Sequence, residues 1–244
     1  MHIKIDLISD TDIILPVHYN HILQGFIYNN IDKRLSGFLH NNGYIYYNRT
    51  FKLFTFSRIS EKGIKIDDML YFGKHISFVV SSPLKEFCNS FTDTLLQKDR
   101  LLLGQNIVRV HQIRPKDNVV DKESIVIRTL SPIVAYSTLF RHDGSKYTCF
   151  FMPGESDFKR IISENLIKKY KALFNYNNDN FYDYNASIKP IGSFKQNFVI
   201  YKGFIIKGVT GTFELKGDKR LLQMGLDAGI GSKNSQGFGC IDYL

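Results

Sequence analysis

The densest chemistry in this sequence lies near its end, in Gly229-Ile230-Gly231-Ser232-Lys233-Asn234-Ser235-Gln236-Gly237-Phe238-Gly239. Four glycines are interleaved there with hydroxyl, ammonium and amide side chains. Glycine admits backbone conformations that other residues avoid and lets a second chain approach closely. Exposed N–H groups together with Lys233 are therefore suited to holding phosphate oxygens. The spacing is not GxxxxGK[ST], and the segment leads into a strand rather than a helix, which excludes a P-loop and the dinucleotide fingerprint. A loop that only makes a tight helix-to-strand return fits the same residues equally well. Other chemistries are poorly supplied. Cys88, Cys149 and Cys240 are far apart with no CxxC pair, and read as small buried hydrophobes in a reducing compartment. There is no HxxxH pair, and Asp67-Asp68 does not resemble a two-metal site. The expectation is that no metal and no cofactor is used.

Lys and Arg number 32 against 23 Asp and Glu, a formal charge of +9 over 244 residues. Such a balance attracts polyanions, with nucleic acid and anionic membrane the usual partners. No apolar run approaches the roughly 18 residues that read as a membrane-spanning helix. Met1 to Leu7 alternates like a strand and lacks a signal-peptide core, so a cytoplasmic location is expected. The stretch holding Lys159, Arg160, Lys168, Lys169 and Lys171 is very basic, although a solvated helix face accounts for most of it. Arg58, Lys195, Lys202 and Arg220 are weaker candidates for backbone contacts.

The elements that must position these groups appear twice in the same order. His2 to Leu7 alternates as a strand. Pro16 is placed to open a helix, in which Tyr19, Ile22, Leu23, Phe26, Ile27 and Ile31 form one buried stripe. A second short helix over Lys33 to His40 ends at Asn41-Asn42-Gly43. Strands follow at Phe51 to Ile59 and Lys74 to Val80, then a helix at Pro83 to Gln97 and a long strand from Leu101 to Ile113. The composition turns polar near Pro115 to Lys122, which sets the boundary: residues 1–120 and 121–244. Beyond it come a strand at Ser124 to Leu130, an inserted hairpin turning at His142-Asp143-Gly144, and a helix from Glu155 to Phe174. A polar loop from Asn175 to Asp183, strands at Asn185 to Gly192 and Gly203 to Leu215, a helix at Asp218 to Asp227 and a strand at Gly237 to Tyr243 complete the chain. The predicted fold is α+β, two tandem ferredoxin-like (RRM-like) βαββαβ domains with antiparallel sheets. RRM proteins bind RNA on the free sheet face, but this architecture hosts many activities.

The glycine-rich segment, with Leu15-Pro-Val-His-Tyr-Asn-His-Ile-Leu-Gln-Gly-Phe-Ile-Tyr28 and Phe51-Lys-Leu-Phe-Thr-Phe-Ser57, resembles three motifs of the CRISPR-associated repeat-specific endoribonucleases of the RAMP superfamily. They stand in that family's order. The resemblance implies an enzyme that excises guide RNAs from a precursor transcript within its repeats. A ribose 2′-hydroxyl attacks the neighbouring phosphate and leaves 2′,3′-cyclic phosphate and 5′-hydroxyl ends. The nucleophile belongs to the RNA, so the protein need only move protons and stabilise charge. The family's Tyr, His and Lys triad, carried over residue by residue, falls on Tyr28, His40 and Lys52.

On their own, these three residues have bland readings as well. Tyr28 lies just past the apolar stripe, on the polar side with His21 and Gln24. His40 ends a helix, where a cation is favoured and where imidazole titrates near neutrality. Lys52 alternates with Phe51, Leu53 and Thr55 and so would share a face with Phe54 and Phe56. His18 or His21 could substitute in part for His40. The RNA-binding candidates are Gly229, Gly231, Ser232, Lys233, Asn234, Gly237 and Gly239. The expected partners are CRISPR repeat RNA and a CRISPR effector complex, not a membrane, with the protein a monomer or homodimer. The rival reading is a noncatalytic guide-RNA-binding RAMP subunit of an interference complex, which the fold, charge and glycine loop would fit equally.

Overall fold

The computed structural model describes residues 1–174 and 184–244, so the loop expected over Asn175 to Asp183 lies outside the described residues. The amino-terminal sheet runs in the order Thr55–Phe56, His75–Ser81, His2–Ile8, Asn106–Lys116, Leu101–Leu103. His2–Ile8 is central and antiparallel to both neighbours. Its alternate residues Ile3, Ile5 and Leu7 are fully buried, because successive side chains of a strand point to opposite faces. They meet Leu23, Phe26 and Ile27 of helix α1 (Asn20–Asn29), Leu35 and Leu39 of α2 (Lys33–Asn41), and Phe87, Phe91 and Leu95 of α3 (Lys85–Leu96).

The carboxyl-terminal sheet repeats the plan, in the order Ala186–Tyr201, Phe204–Gly217, Ser124–Thr129, Ile241–Tyr243. Helices α4 (Ser156–Phe174) and α5 (Lys219–Ala228) cover it, with Phe158, Ile162, Leu166, Leu222 and Leu226 buried against Ile125, Ile127, Phe213 and Leu215. Leaving aside the edge strand Leu101–Leu103, both sheets place the second, third, first and fourth strands of a βαββαβ unit side by side. This is the tandem ferredoxin-like fold. The inserted hairpin pairs Ala135–Phe140 with Lys146–Phe151.

Several elements differ from their sequence reading. Pro16 does not open α1. It closes the strand Ile14–Pro16, at the edge of a small sheet with Met69–Tyr71 and Ile64–Ile66, where a missing N–H costs no ladder bond. The strand expected at Phe51 to Ile59 is broken, because Leu53 takes φ 52°. Leu53, Phe54, Thr55 and Phe56 are then all buried while Lys52 stays half-exposed, so Lys52 does not share a face with Phe54 and Phe56 as alternation implied. The stretch Leu101 to Ile113 folds back on itself at Gly104, φ 62°, rather than running as one strand. Ala186–Tyr201 extends well past Gly192 and forms a long hairpin with Phe204–Gly217. Only Ile241–Tyr243 of the last predicted strand is extended. Cys88 and Cys240 are buried as expected, but Cys149 is half-exposed on the inserted hairpin.

Candidate active site

The site begins with how α2 stops. Asp32 caps its start by accepting from the N–H groups of Arg34 and Leu35. At the other end Gly43, φ 68°, turns back so that its N–H reaches the carbonyl of Phe38 at 2.7 Å. The turn leads into a hairpin, Tyr44–Tyr46 with Arg49–Phe51, that returns the chain to the same helix end. Lys52 follows at once, and its Nζ donates to the His40 carbonyl at 2.9 Å. Residues twelve apart in sequence are thus joined at the negative end of a helix dipole.

The imidazole of His40 is exposed. Its Nδ1 lies 2.9 Å from Oδ1 of Asn41. An amide oxygen only accepts, so this contact suits the tautomer that carries its proton on Nδ1. The Tyr28 ring stands edge-to-face to His40, with centroids 6.0 Å apart, and to the buried Phe54 at 5.5 Å. Burial pushes the Tyr28 phenol up to about 12, so it is neutral and can donate but not act as a base near pH 7. Burial also pulls the Lys52 ammonium below its ordinary value.

These three side chains line one groove of about 880 Å³. Its other wall belongs to the carboxyl-terminal half: Tyr201 and Lys202 from the long hairpin, Ser235 and Gln236 from the glycine segment. Among the described residues Lys33, Lys52 and Lys202 line it and no carboxylate does, so a polyanion meets positive charge from them. Gln24 spans the two halves. Its Oε1 accepts from the Tyr201 hydroxyl, and its Nε2 donates to the Ser235 carbonyl at 2.6 Å. His21 also lines the groove, whereas His18 accepts from the backbone N–H of Ile200 and does not. Sequence periodicity puts Gln24 beside Tyr28, but nothing in the sequence pairs it with Tyr201, 177 positions away.

The glycine segment is arranged differently from the expectation. Gly229, Gly231, Gly237 and Gly239 are all buried, with φ between 69° and 85°. Their surroundings leave no room for a side chain: a Cβ at Gly239 would lie 2.0 Å from the Ile230 oxygen, and one at Gly237 2.5 Å from the Phe56 ring. The N–H groups of Ile230, Ser232, Gln236, Gly237 and Gly239 are spent on internal carbonyls. Asn234, buried as well, donates to the carbonyls of Ile230 and Phe238 and accepts from Lys169. The glycines and Asn234 therefore shape the loop. Ser232 and Lys233 remain partly exposed and free to face a ligand.

Lys169 departs furthest from a solvated helix face. It is 2% exposed, and its Nζ donates to Gly229 O at 2.8 Å, Gly231 O at 3.3 Å and Asn234 Oδ1 at 2.6 Å. Three acceptors match the three N–H bonds of an ammonium, while burial pulls its pKa down to about 7. The loop also grips the amino-terminal half. Asn20 donates to the carbonyls of Gln236 and Gly237, and Thr55 to that of Phe238.

Two family models match the chain. Residues 113–243 match that for the CRISPR associated protein Cas6, C-terminal, and residues 14–114 that for the CRISPR-associated protein Cas6, N-terminal. A CRISPR-associated endoribonuclease Cas6 of Pyrococcus furiosus is 30% identical over 96% of this chain and 86% of its own length. The CRISPR-associated endoribonuclease Cas6 1 of Methanocaldococcus jannaschii is 28% identical over 99% of this chain and 92% of its own. Among solved structures, that from a Cas6-related gene of Pyrococcus furiosus superposes with a TM-score of 0.83 at 25% identity, covering 100% of this chain and 98% of that one.

Proposed function

The chain belongs to the Cas6 family of CRISPR-associated endoribonucleases, and from that premise we propose that it binds CRISPR repeat RNA and cuts the precursor transcript within its repeats. In this reading the scissile phosphate lies beside Lys52, and the adjacent 2′-hydroxyl attacks it in line. As the P–O5′ bond breaks, His40 exchanges through Nε2 the proton that the 2′-hydroxyl loses and the one that the departing 5′-oxygen takes up, the Lys52 ammonium offsets charge on the pentavalent phosphate, and Tyr28 donates a hydrogen bond from its neutral hydroxyl while holding the imidazole edge-on. General acid–base groups contribute about 10²–10⁴-fold. The observation that carries the reading is the junction itself: an exposed imidazole whose backbone carbonyl holds a lysine ammonium, with a neutral phenol packed on the ring. The lining supports chemistry without a metal, since among the described residues no carboxylate in it offers the oxygen ligands of a two-metal site. Division of labour between residues 1–120, carrying the reacting groups, and 121–244, carrying the glycine loop, belongs to the same proposal. Within the loop the reading assigns phosphate contact to Ser232 and Lys233, and the shaping of those contacts to Gly229, Gly231, Asn234, Gly237 and Gly239. Among the described residues no helix is long and apolar enough to cross a membrane.

The test is end-labelled repeat RNA incubated with the purified protein in EDTA. Cleavage at one linkage with a 2′,3′-cyclic phosphate end is expected. Binding without cleavage would point to the rival guide-RNA-holding role, and cleavage only after metal is restored would remove the proposed chemistry.

A further inference from the structure

A second groove, of about 380 Å³, shares Lys52 with the first but is lined by neither His40 nor Tyr28. One wall is the hairpin carrying Arg49, the other is α4, and the glycine segment lies between them. Lys52, Ser235 and Gln236 line both grooves, so the two meet at the proposed position of the scissile phosphate. Among the described residues, Arg49, Lys52, Arg160, Lys168, Lys169 and Lys233 line this second space against a single carboxylate, Glu164. Leaving aside the buried Lys169, that is a surplus of four positive charges in less than half the volume of the first groove.

The cations are not equivalent. Lys169 is consumed by the loop, and Arg160 and Lys168 are held by Glu164 at 2.9 and 2.8 Å. Arg49 has no acceptor among the described residues. Among the described residues the Lys233 side chain has only the Tyr136 ring, 4.9 Å from its Nζ. Two guanidinium- or ammonium-bearing chains thus stand open in a groove that continues from the reacting groups. Phosphates answer these cations.

We propose that this groove holds the RNA strand on one side of the scissile linkage, its flanking phosphates drawn to Arg49 and Lys233. The proposal rests on the reading that the scissile phosphate sits beside Lys52. A strand threaded this way is gripped on both sides of the reacting phosphodiester, which holds the attacking and leaving oxygens in line. It also assigns Arg49, absent from the sequence-level candidates, a role in binding rather than in chemistry.

The experiment measures affinity, not cleavage. The probe is the repeat RNA with a 2′-deoxy residue at the cut position, either intact or shortened to end at the scissile linkage from one side or from the other. Arg49→Ala is expected to weaken binding of the intact RNA about tenfold and to lower the salt slope by about one. Arg49→Lys, which keeps the charge, recovers most of the affinity. On one of the shortened RNAs Arg49→Ala has no further effect, and on the other it keeps its full penalty, which identifies the flank that occupies the groove. Glu164→Gln, removing the lone carboxylate, tightens binding of the intact RNA about threefold at low salt. The proposal is overturned if Arg49→Ala binds intact RNA like the parent, or if its penalty is the same on both shortened RNAs. Cleavage of unmodified RNA by the parental protein is scored separately. A protein that cuts but shows no Arg49 coupling sinks only this inference, and one that shows the coupling without cutting sinks only the proposed activity.

Discussion

The two sides of the groove put similar residue types to opposite uses. On the amino-terminal side, His40 is exposed and Lys52 half-exposed, each held in place through one or two local contacts. On the carboxyl-terminal side, Asn234 and Lys169 are buried and spend their hydrogen bonds on the loop itself. A polar side chain in water keeps its donors for a ligand. One removed from water must satisfy them internally or cost about 1–3 kcal/mol. The first side is therefore where chemistry can be altered without touching the fold, and the second is where the fold fails first.

Paired substitutions break or uphold this contrast, and the largest effects come from one position on each side. His40→Ala is expected to lower kcat by about 10²–10⁴-fold, with the melting temperature and RNA affinity close to the parent's. Gly239→Ala must place a methyl group 2.0 Å from the Ile230 oxygen at φ 71°, and is expected to cost on the order of 2–5 kcal/mol of stability. Thermal melts beside single-turnover cleavage separate the two. A His40→Ala protein that melts well below the parent, or a Gly239→Ala protein that melts with it, would dissolve the distinction.

Much of the scaffold was legible in the sequence because its cause is periodic. The stripe through Leu23, Phe26 and Ile27 and the alternation of Ile3, Ile5 and Leu7 each follow from one element's geometry. What escaped depends on contacts between elements. Lys52 reads as a member of an alternating strand, and only the left-handed backbone at Leu53 frees it from that register. Lys169 sits in a run of lysines and glutamates that reads as a solvated face. Its burial is set by the loop that packs over α4, some sixty residues later. The glycines point to a special backbone, as they should, but residue type alone does not say whether that backbone faces a ligand or the core. The same limit hid the Gln24 bridge to Tyr201 and Ser235.

Lys169→Met is the next largest change expected, because it keeps the length of the side chain while leaving three acceptors without a donor. About 1–3 kcal/mol of stability should be lost, with weaker RNA binding as the loop loosens. The pH dependence carries a sign. Burial sets the folded-state pKa at about 7, below that of a free lysine, so the folded protein holds this proton more weakly than the unfolded chain. Stability linked to the site is present above a pH of about 10 and is lost as pH falls towards 7. The parent's advantage over Lys169→Met should therefore widen between those values in chemical melts. An advantage that stays level would mean that the three oxygens hold the ammonium charged throughout.

Tyr28→Phe probes the exposed side with the smallest step. The ring that packs on His40 and Phe54 is retained, and only the hydroxyl goes. Because burial keeps the phenol neutral up to about 12, Tyr28 cannot take a proton from a ribose hydroxyl at working pH. In the proposed reaction its part is confined to donating a hydrogen bond and orienting the imidazole. Removing the hydroxyl should then lower kcat by less than about tenfold, the scale of one lost hydrogen bond, and leave the pH–rate profile in place below about pH 9. Stability should shift only in strong alkali: the raised pKa favours the folded state below about pH 10, and that contribution is lost as pH rises through 12. If Tyr28→Phe instead removes as much rate as His40→Ala, the phenol is the obligatory proton donor. The imidazole would then be its positioning partner, and the order of importance on this side of the groove would have to be reversed.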